Sequence, residues 1–574
     1  MRRAVRAALG AAVVLATAAG LGACAQIPTS GPVLAGNADV DTQVDIAIVA
    51  QGPKPGVGPE SIVSGFLGAA VAAATSPKEF ETAREFLTDD VAETWDPEPA
   101  VRVIREAPLA ELSRPGTEVE DADTVEVVVN ATTIATLDSA GTYTEVGDPR
   151  EVGYRFTLVR VGDEWRISVL DDGVIVPANL FANQYRATRL YFPTATEPKN
   201  LVPDLRWFPR RNWRSVAVEE VLAGPPEWLQ GATQSLVPEG TQLSSASVRE
   251  SDGEEAVAVR LSEQIASAPA LQRAVIAAQL SATFSEGAGR TVPVELYSGT
   301  SRLAVDAVAV NLPGTAGKAL AVQDDEILLV NDGLLEEYET TADLSAVADP
   351  TALAVSPAGA PLVVRDGTDQ ILRLTDDGPV EMFAGSDLAA PSVDTFGFVW
   401  TSARTDALRV AGEVVDEVSL KPEWLAGRRV ISVAVSPEGS RVAVVSEAPS
   451  GTQVHVAGVV RDEEDVPVSL TPPLSVAAPV DDIEEARWSG TTTLALLTRG
   501  ADGTSGVWTA GVGGLAGTGG AARQLTGLTD VEQLAAGVTD QGILVITDGG
   551  HLEREETGVW QPFAEEVDLI GYPG

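Results

Sequence analysis

Cysteine, histidine and methionine are nearly absent from this chain, with one, two and two copies in 574 residues, and aromatic residues make up only 5%. A single thiol, Cys24, excludes an intramolecular disulfide, so stability has to come from apolar cores and strand pairing. The two histidines, His455 and His551, stand nearly a hundred residues apart, and neither has a His or Cys neighbour at zinc-ligand spacing. Neither Gly-x-Ser-x-Gly nor Ser-x-x-Lys occurs, so the usual serine acyl-enzyme signatures are missing. Basic residues are scarce too: 39 Lys and Arg, only five of them Lys, face 83 Asp and Glu. A polyanion is held by clustered cations that displace its counterions, and no such cluster follows the first six residues, so nucleic acid is excluded as a partner. No catalytic residue, metal or cofactor is expected, and the chain reads as a non-enzyme. Long apolar runs are lacking as well. The one from about residue 7 to 19 is shorter than the roughly 20 residues a membrane helix needs.

That run is informative for another reason. Arg2, Arg3 and Arg6 precede it and the small-residue tetrad Leu21-Gly22-Ala23-Cys24 follows it, which is the layout of an export signal ending where a bacterial lipoprotein signal peptidase cuts. The expectation is a signal peptide over 1–23, recognised through Leu21, Gly22 and Ala23, and a diacylglyceryl group with palmitate-type chains on Cys24. The protein would then be lipid-anchored on the extracytoplasmic face of the cell membrane; two buried chains anchor stably where one does not. An ordinary secretory leader with a cysteine nearby is the plainer alternative. Removing 23 residues, three Arg among them, from a chain of charge −44 leaves 551 residues and a charge of −47. Anionic headgroups repel such a body, so the tether alone would hold it to the membrane.

Residues 24–57, rich in Pro and Gly, read as a flexible linker with a span of roughly 30 Å. Over 58–186, Pro59-Glu60 opens a helix with Ile62, Val63, Phe66, Leu67 and Ala70 at helical spacing, and a second helix is expected from about Phe80 to Leu87. Val125–Val129 reads as a strand, and Phe156–Val161 with Trp165–Leu170 reads as a hairpin around Gly162-Asp163. Trp95 and Trp165 are expected in the core. Over 187–305 a strand at Leu190-Tyr191-Phe192 precedes a helix from Trp213 that Gly224-Pro225-Pro226 stops. The turn Pro238-Glu239-Gly240-Thr241, a strand to Leu261, a helix bearing Leu271 to Phe284 and a strand to Tyr297 follow. This unit is similar to the GerMN (germination and sporulation) domain, which implies an exported envelope domain and transfers no catalytic residue.

Over 318–574 short strands alternate with Gly, Asp and Ser turns. Ala354-Val355-Ser356-Pro357-Ala358-Gly359 returns 80 residues later as Ala434-Val435-Ser436-Pro437-Glu438-Gly439, two units of about 40, the length of a propeller blade. The fold class expected is multidomain: two small α+β domains followed by an all-β propeller of about six blades, with tandem β-sandwiches as the competing architecture.

Two phosphate-loop look-alikes fail on spacing. Gly511-Val512-Gly513-Gly514 leads into Gly517-Thr518-Gly519-Gly520, which cannot start a helix, and reads as a hairpin loop. Gly314–Lys318 has Leu312 at the first glycine position and Ala319 at the hydroxyl position, and reads as a linker. The acidic clusters Asp324–Glu326, Asp462–Asp465 and Asp481–Glu485 read as solvated loops.

The lipobox, the Ile27-Pro28-Thr29-Ser30-Gly31-Pro32 run after it, Ala83-Arg84-Glu85-Phe86-Leu87-Thr88, Trp95, the GerMN-like unit and the propeller together resemble the LpqB family of actinobacterial lipoproteins. The resemblance implies an accessory of a two-component system, touching the extracytoplasmic domain of the sensor kinase MtrB and modulating cell-envelope homeostasis and division. It transfers no contact residue. The alternative reading is a cell-wall glycan-binding or glycan-processing lipoprotein with peptidoglycan as partner.

Overall fold

The computed structural model of the protein describes residues 50–76, 78–106, 110–112, 122–244, 249–250, 256–285, 291–314, 317–331, 334–340, 342–516, 520–538 and 542–574. Cys24 and the preceding Leu21-Gly22-Ala23 lie outside them. The described residues from 50 to 574 belong to one compact unit.

The first domain is a seven-stranded sheet with helix Pro59–Ala72 laid on it. The long strand Thr124–Asp138 is its axis, pairing antiparallel with Glu151–Val161 on one side and Ala100–Ile104 on the other. Val125, Val127 and Val129 alternate inward along it, as a sheet covered on one face requires. The hairpin turns at Gly162-Asp163 as its sequence indicates. The helix buries Ile62, Val63 and Phe66, and Phe66 meets Trp95 edge-on at 5.2 Å. Trp95 and Trp165 are both core.

Three local expectations need revision. The helix foreseen over 80–87 covers only Glu81–Arg84, because Leu87 leaves it to bridge Ile167 of the sheet. Part of the expected spacer is docked: Ala50 and Val57 pack on the first core, and the Gly56 N–H donates to the Glu164 carboxylate. A strand not foreseen, Leu201–Pro209, pairs antiparallel along its whole length with Tyr185–Pro193. It is buried at almost every position, so it lacks the two-residue alternation by which half-exposed strands are recognised.

The second domain packs helices Trp213–Ala223 and Ala270–Ser285 against this ribbon and a small sheet in which Val257–Leu261 and Val294–Ser298 run parallel. Gly224 ends the first helix with φ +94°, a conformation side-chain-bearing residues avoid.

Residues 320–571 form six antiparallel sheets around a ring. Blade 2 runs from Pro350–Val355 to Gly378–Ala384, blade 3 from Ser392–Val393 to Val418–Leu420, and blade 4 from Arg429–Val435 to Pro467–Leu470. Blade 5 runs from Ile483–Trp488 to Arg523–Leu525 and blade 6 from Val531–Ala536 to Val559–Ala564. Blade 1 is a composite. Leu320–Gln323, Glu326–Asn331 and Leu334–Glu337 supply its outer strands and Leu569–Gly571 its innermost one, with Leu320 opposite Gly571 and Val322 opposite Leu569. This clasp ties the two ends of the propeller together and removes the open edges that separate sandwiches would leave. The six-residue repeat ends the innermost strands of blades 2 and 4. In both copies the turn closes identically, Gly359 N–H to Ser356 O and Gly439 N–H to Ser436 O, each at 2.8 Å.

Candidate functional site

Five blades have four strands and blade 4 has a fifth, Leu474–Val476, paired to Gly451–Arg461; the channel that the innermost strands enclose has two chemically different ends. The cavity has a volume of about 520 Å³, and among the described residues none of the first two domains lines it. The end where the strands start carries Arg365, Arg404, Arg429, Arg487 and Arg499 with Glu447, Asp482, Glu484, Glu485 and Glu532. Around the other end lie Trp488, Ala536, Gly537 and Tyr572–Gly574.

Most of the charges at the polar mouth are paired. Arg487 bonds Glu485 at 2.5 Å, Arg499 bonds Glu484 at 2.9 Å, Arg429 bonds Glu447, and Arg404 meets Asp387 at 2.9 Å. Arg365 is different. Its Nε donates to Thr351 Oγ1 and one terminal nitrogen to Leu388 O, both at 2.9 Å, and it has no carboxylate partner among the described residues. Burial pulls its pKa down, the charge of Glu485 pushes it up, and Arg404 and Arg487 pull it down again.

The acidic clusters thus divide. Asp324–Glu326 is a turn of blade 1, with Asp324 and Asp325 at positive φ, and Asp462 caps the Glu464 and Val466 N–H groups of a blade 4 turn. Asp482, Glu484 and Glu485 lie at the channel mouth, where Asp482 and Glu484 stay exposed to solvent and Glu485 is half-buried beside Arg487.

A second concavity of about 810 Å³ lies on the outside, over blades 2 and 3. Leu374, Met382, Phe396, Phe398 and Val414 supply apolar surface, with Val414 93% exposed, and Asp376, Asp377, Glu413, Glu464 and Asp465 surround it. Phe396 is held from beneath. Arg461 stacks 4.3 Å from its ring centre and bonds the fully buried Asp394 at 2.7 Å. The Asp394 carboxylate also accepts from the Phe396 and Phe398 N–H groups and from Trp400 Nε1.

Blades 4 and 5 carry the other two domains. Trp207, on the unforeseen strand, packs among Tyr143 and Phe181 of the first domain and donates its indole N–H to Gly513 O at 2.9 Å. Gly513 and Gly514 both sit at positive φ, and a Cβ on Gly513 would fall 2.4 Å from Leu205 O. The glycine-rich stretch that mimics a dinucleotide fingerprint is therefore a docking loop, whose glycines admit backbone-close contact. Glu145 reaches across as well, accepting from the Ala478 and Ala522 N–H groups at 3.2 Å; burial raises its pKa and those donors pull it back. Thr471 Oγ1 donates to Trp228 O at 2.5 Å, and Arg441 donates to Pro203 O at 3.3 Å.

Of the two histidines, His455 is buried in blade 4 against Trp424, and His551 opens a strand of blade 6. Among the described residues no three His, Cys, Asp or Glu side chains group as metal ligands, and no helix is long and apolar enough to cross a membrane.

Fold and surface together define a multidomain propeller protein with two concavities, a charged channel and an acidic-rimmed groove. Comparison with known proteins makes the class particular. Residues 52–182 match the family model "Lipoprotein LpqB, N-terminal domain", residues 328–569 match "Lipoprotein LpqB beta-propeller domain", and 189–299 match "Sporulation and spore germination". The two LpqB models together cover more than half of the sequence, and the chain belongs to the LpqB family of lipoproteins. The Lipoprotein LpqB of Streptomyces coelicolor is 26% identical, with all of this chain and 98% of the relative aligned. That of Bifidobacterium longum is 27% identical over 80% of each, and that of Mycobacterium tuberculosis 28% identical over 39% of this chain and 37% of its own.

Proposed function

We propose that the protein is lipid-anchored through Cys24 after cleavage behind Leu21-Gly22-Ala23, and that it stands on the extracytoplasmic face as a non-catalytic accessory of a two-component sensor kinase of the MtrB kind. It binds the outer domain of that kinase and modulates its output in envelope homeostasis and division. The observation that carries this reading is the groove over blades 2 and 3. Its apolar floor, with Phe396 positioned by a buried ion pair and Val414 standing free, is the composition of a protein contact surface. Its acidic rim favours a partner segment that mixes basic and apolar residues. Membership of a lipoprotein family and the lack of a crossing helix among the described residues agree with a tether at the other end.

A photo-crosslinker at Val414, with a control in the docking loop at Val512, tests it on whole cells. Capture of a sensor kinase from Val414 alone is expected. Capture of peptidoglycan fragments instead of the kinase would sink the reading and favour glycan binding. Replacing Cys24 with Ala should abolish labelling by fed palmitate and release the protein from the membrane fraction.

A further inference from the structure

Residues 318–574 carry 14 basic side chains against 42 acidic ones, yet five of those fourteen line one mouth of the channel. Four of the five have a carboxylate partner, and Arg365 has none among the described residues. Its guanidinium is nevertheless fixed on two sides by Thr351 Oγ1 and Leu388 O, both neutral acceptors. A guanidinium has five N–H donors, and these two bonds leave others to face the cavity, because Arg365 itself lines it. The nearest negative charges are already engaged: Glu485 with Arg487 and Asp387 with Arg404. The mouth as a whole is balanced, with five arginines and five acids in its lining, and Arg365 is the one of those arginines that is not tied to a carboxylate among the described residues.

We propose that the polar mouth of the propeller channel binds a small oxyanion-bearing ligand whose carboxylate or phosphate seats on Arg365, in the manner of a planar guanidinium fork. Glu532, Gln533 and Thr452 on the facing walls supply acceptors and donors for hydroxyl groups on the rest of the ligand, and about 520 Å³ holds a molecule of one or two sugar-sized units. The ligand class is therefore an acidic sugar, a sugar phosphate or a similarly hydroxylated small acid. Shielding by the walls matters: at physiological salt charges beyond about 8 Å are screened, so the acidity of the rest of the domain does not bar an anion from the mouth. The site shares no lining residue with the groove proposed for the kinase, and it stands or falls without that partner.

Ligand-observed NMR titrations of the full-length protein test it with three probes: glucuronate for the carboxylate, inorganic phosphate for the phosphate, and glucose as the neutral control. Saturable binding of at least one anion and none of glucose is expected, and the tighter anion identifies the charged group. Arg365→Gln should weaken that binding by at least about tenfold, the loss of a charge-assisted hydrogen bond. Thr351→Val, which frees the guanidinium without removing it, should weaken it less, and Val414→Ser should leave it unchanged. No saturable binding of either anion to the native protein, or equal binding of glucose, would overturn the proposal. So would unchanged affinity in a folded Arg365→Gln protein. If that variant does not fold, unchanged affinity in folded Thr351→Val decides against the site.

Discussion

On blades 4 and 5 the propeller meets the first two domains through backbone-close, largely neutral contacts: Trp207 on Gly513, Leu205 against the same loop, Thr471 on Trp228. On blades 2 and 3 the same repeated fold presents charge and exposed apolar side chains to solvent, with Val414 and Phe396 in the groove and Arg365 in the channel. Both flanks are built from antiparallel sheets of four strands, with a fifth in blade 4. What differs is which positions carry glycine and which carry Arg, Asp or Glu. Glycine lets a neighbouring domain approach to van der Waals contact, while a charged rim keeps water present until a complementary partner displaces it. One flank is spent on holding the molecule together and the other is left for recognition.

The sharpest way to break that contrast is Trp207→Ala. It removes an aromatic side chain 2% exposed, a hydrogen bond and the packing of Tyr143 and Phe181, and should cost about 3–5 kcal/mol in chemical denaturation, with the domains parting under limited proteolysis. The corresponding test on the open flank is Asp394→Ala. Arg461, 4% exposed in its side chain, would lose its buried counterion, and a cost of about 3–5 kcal/mol is expected together with loss of order at Phe396, visible in hydrogen exchange of residues 394–398. If Asp394→Ala were harmless, the groove would not be a built surface.

Acidity probes the closed flank. Burial and the nearby Arg428 lower the His455 pKa from 6.5 to about 4, so the imidazole is neutral in the fold while the unfolded chain protonates it. Its contribution is complete above pH 6.5 and is lost as pH falls towards 4, on the order of 3 kcal/mol. Glu145 acts with the opposite sign: its raised pKa means that its ionisation costs stability as pH rises through the folded value, and acidification relieves that cost. Denaturation midpoints of the native protein and of His455→Phe, measured at pH 7 and pH 4.5, should differ in slope by the histidine contribution alone. The smallest effect belongs to Val414→Ser, which should change stability by no more than about 0.5 kcal/mol while weakening capture of the partner at the groove.

Much of the fold could be read locally. The helix at Pro59, the hairpin at Gly162 and the stop at Gly224-Pro225-Pro226 follow from spacing and turn chemistry that involve only a few neighbouring residues. The 80-residue return of Ala-Val-Ser-Pro marks two blades of one ring because each copy ends an innermost strand. The strand Leu201–Pro209 escaped because it is buried on both faces and so shows no alternation. The channel escaped for a different reason. Arg365, Arg404 and Arg487 belong to blades 2, 3 and 5, and nothing in their local sequence separates them from the arginines of solvent-facing turns.

The order of modules and the approximate blade number were thus legible in the sequence alone, since each is written in short-range patterns of polarity, glycine and proline. Only the tertiary structure decided that a glycine-rich loop is a docking surface, that Glu145 and Trp207 reach partners more than 300 residues away, and that a guanidinium with no carboxylate partner among the described residues lines the channel. Those outcomes depend on ring closure and on one domain covering another, and contacts made at such separations leave no period in the chain that forms them.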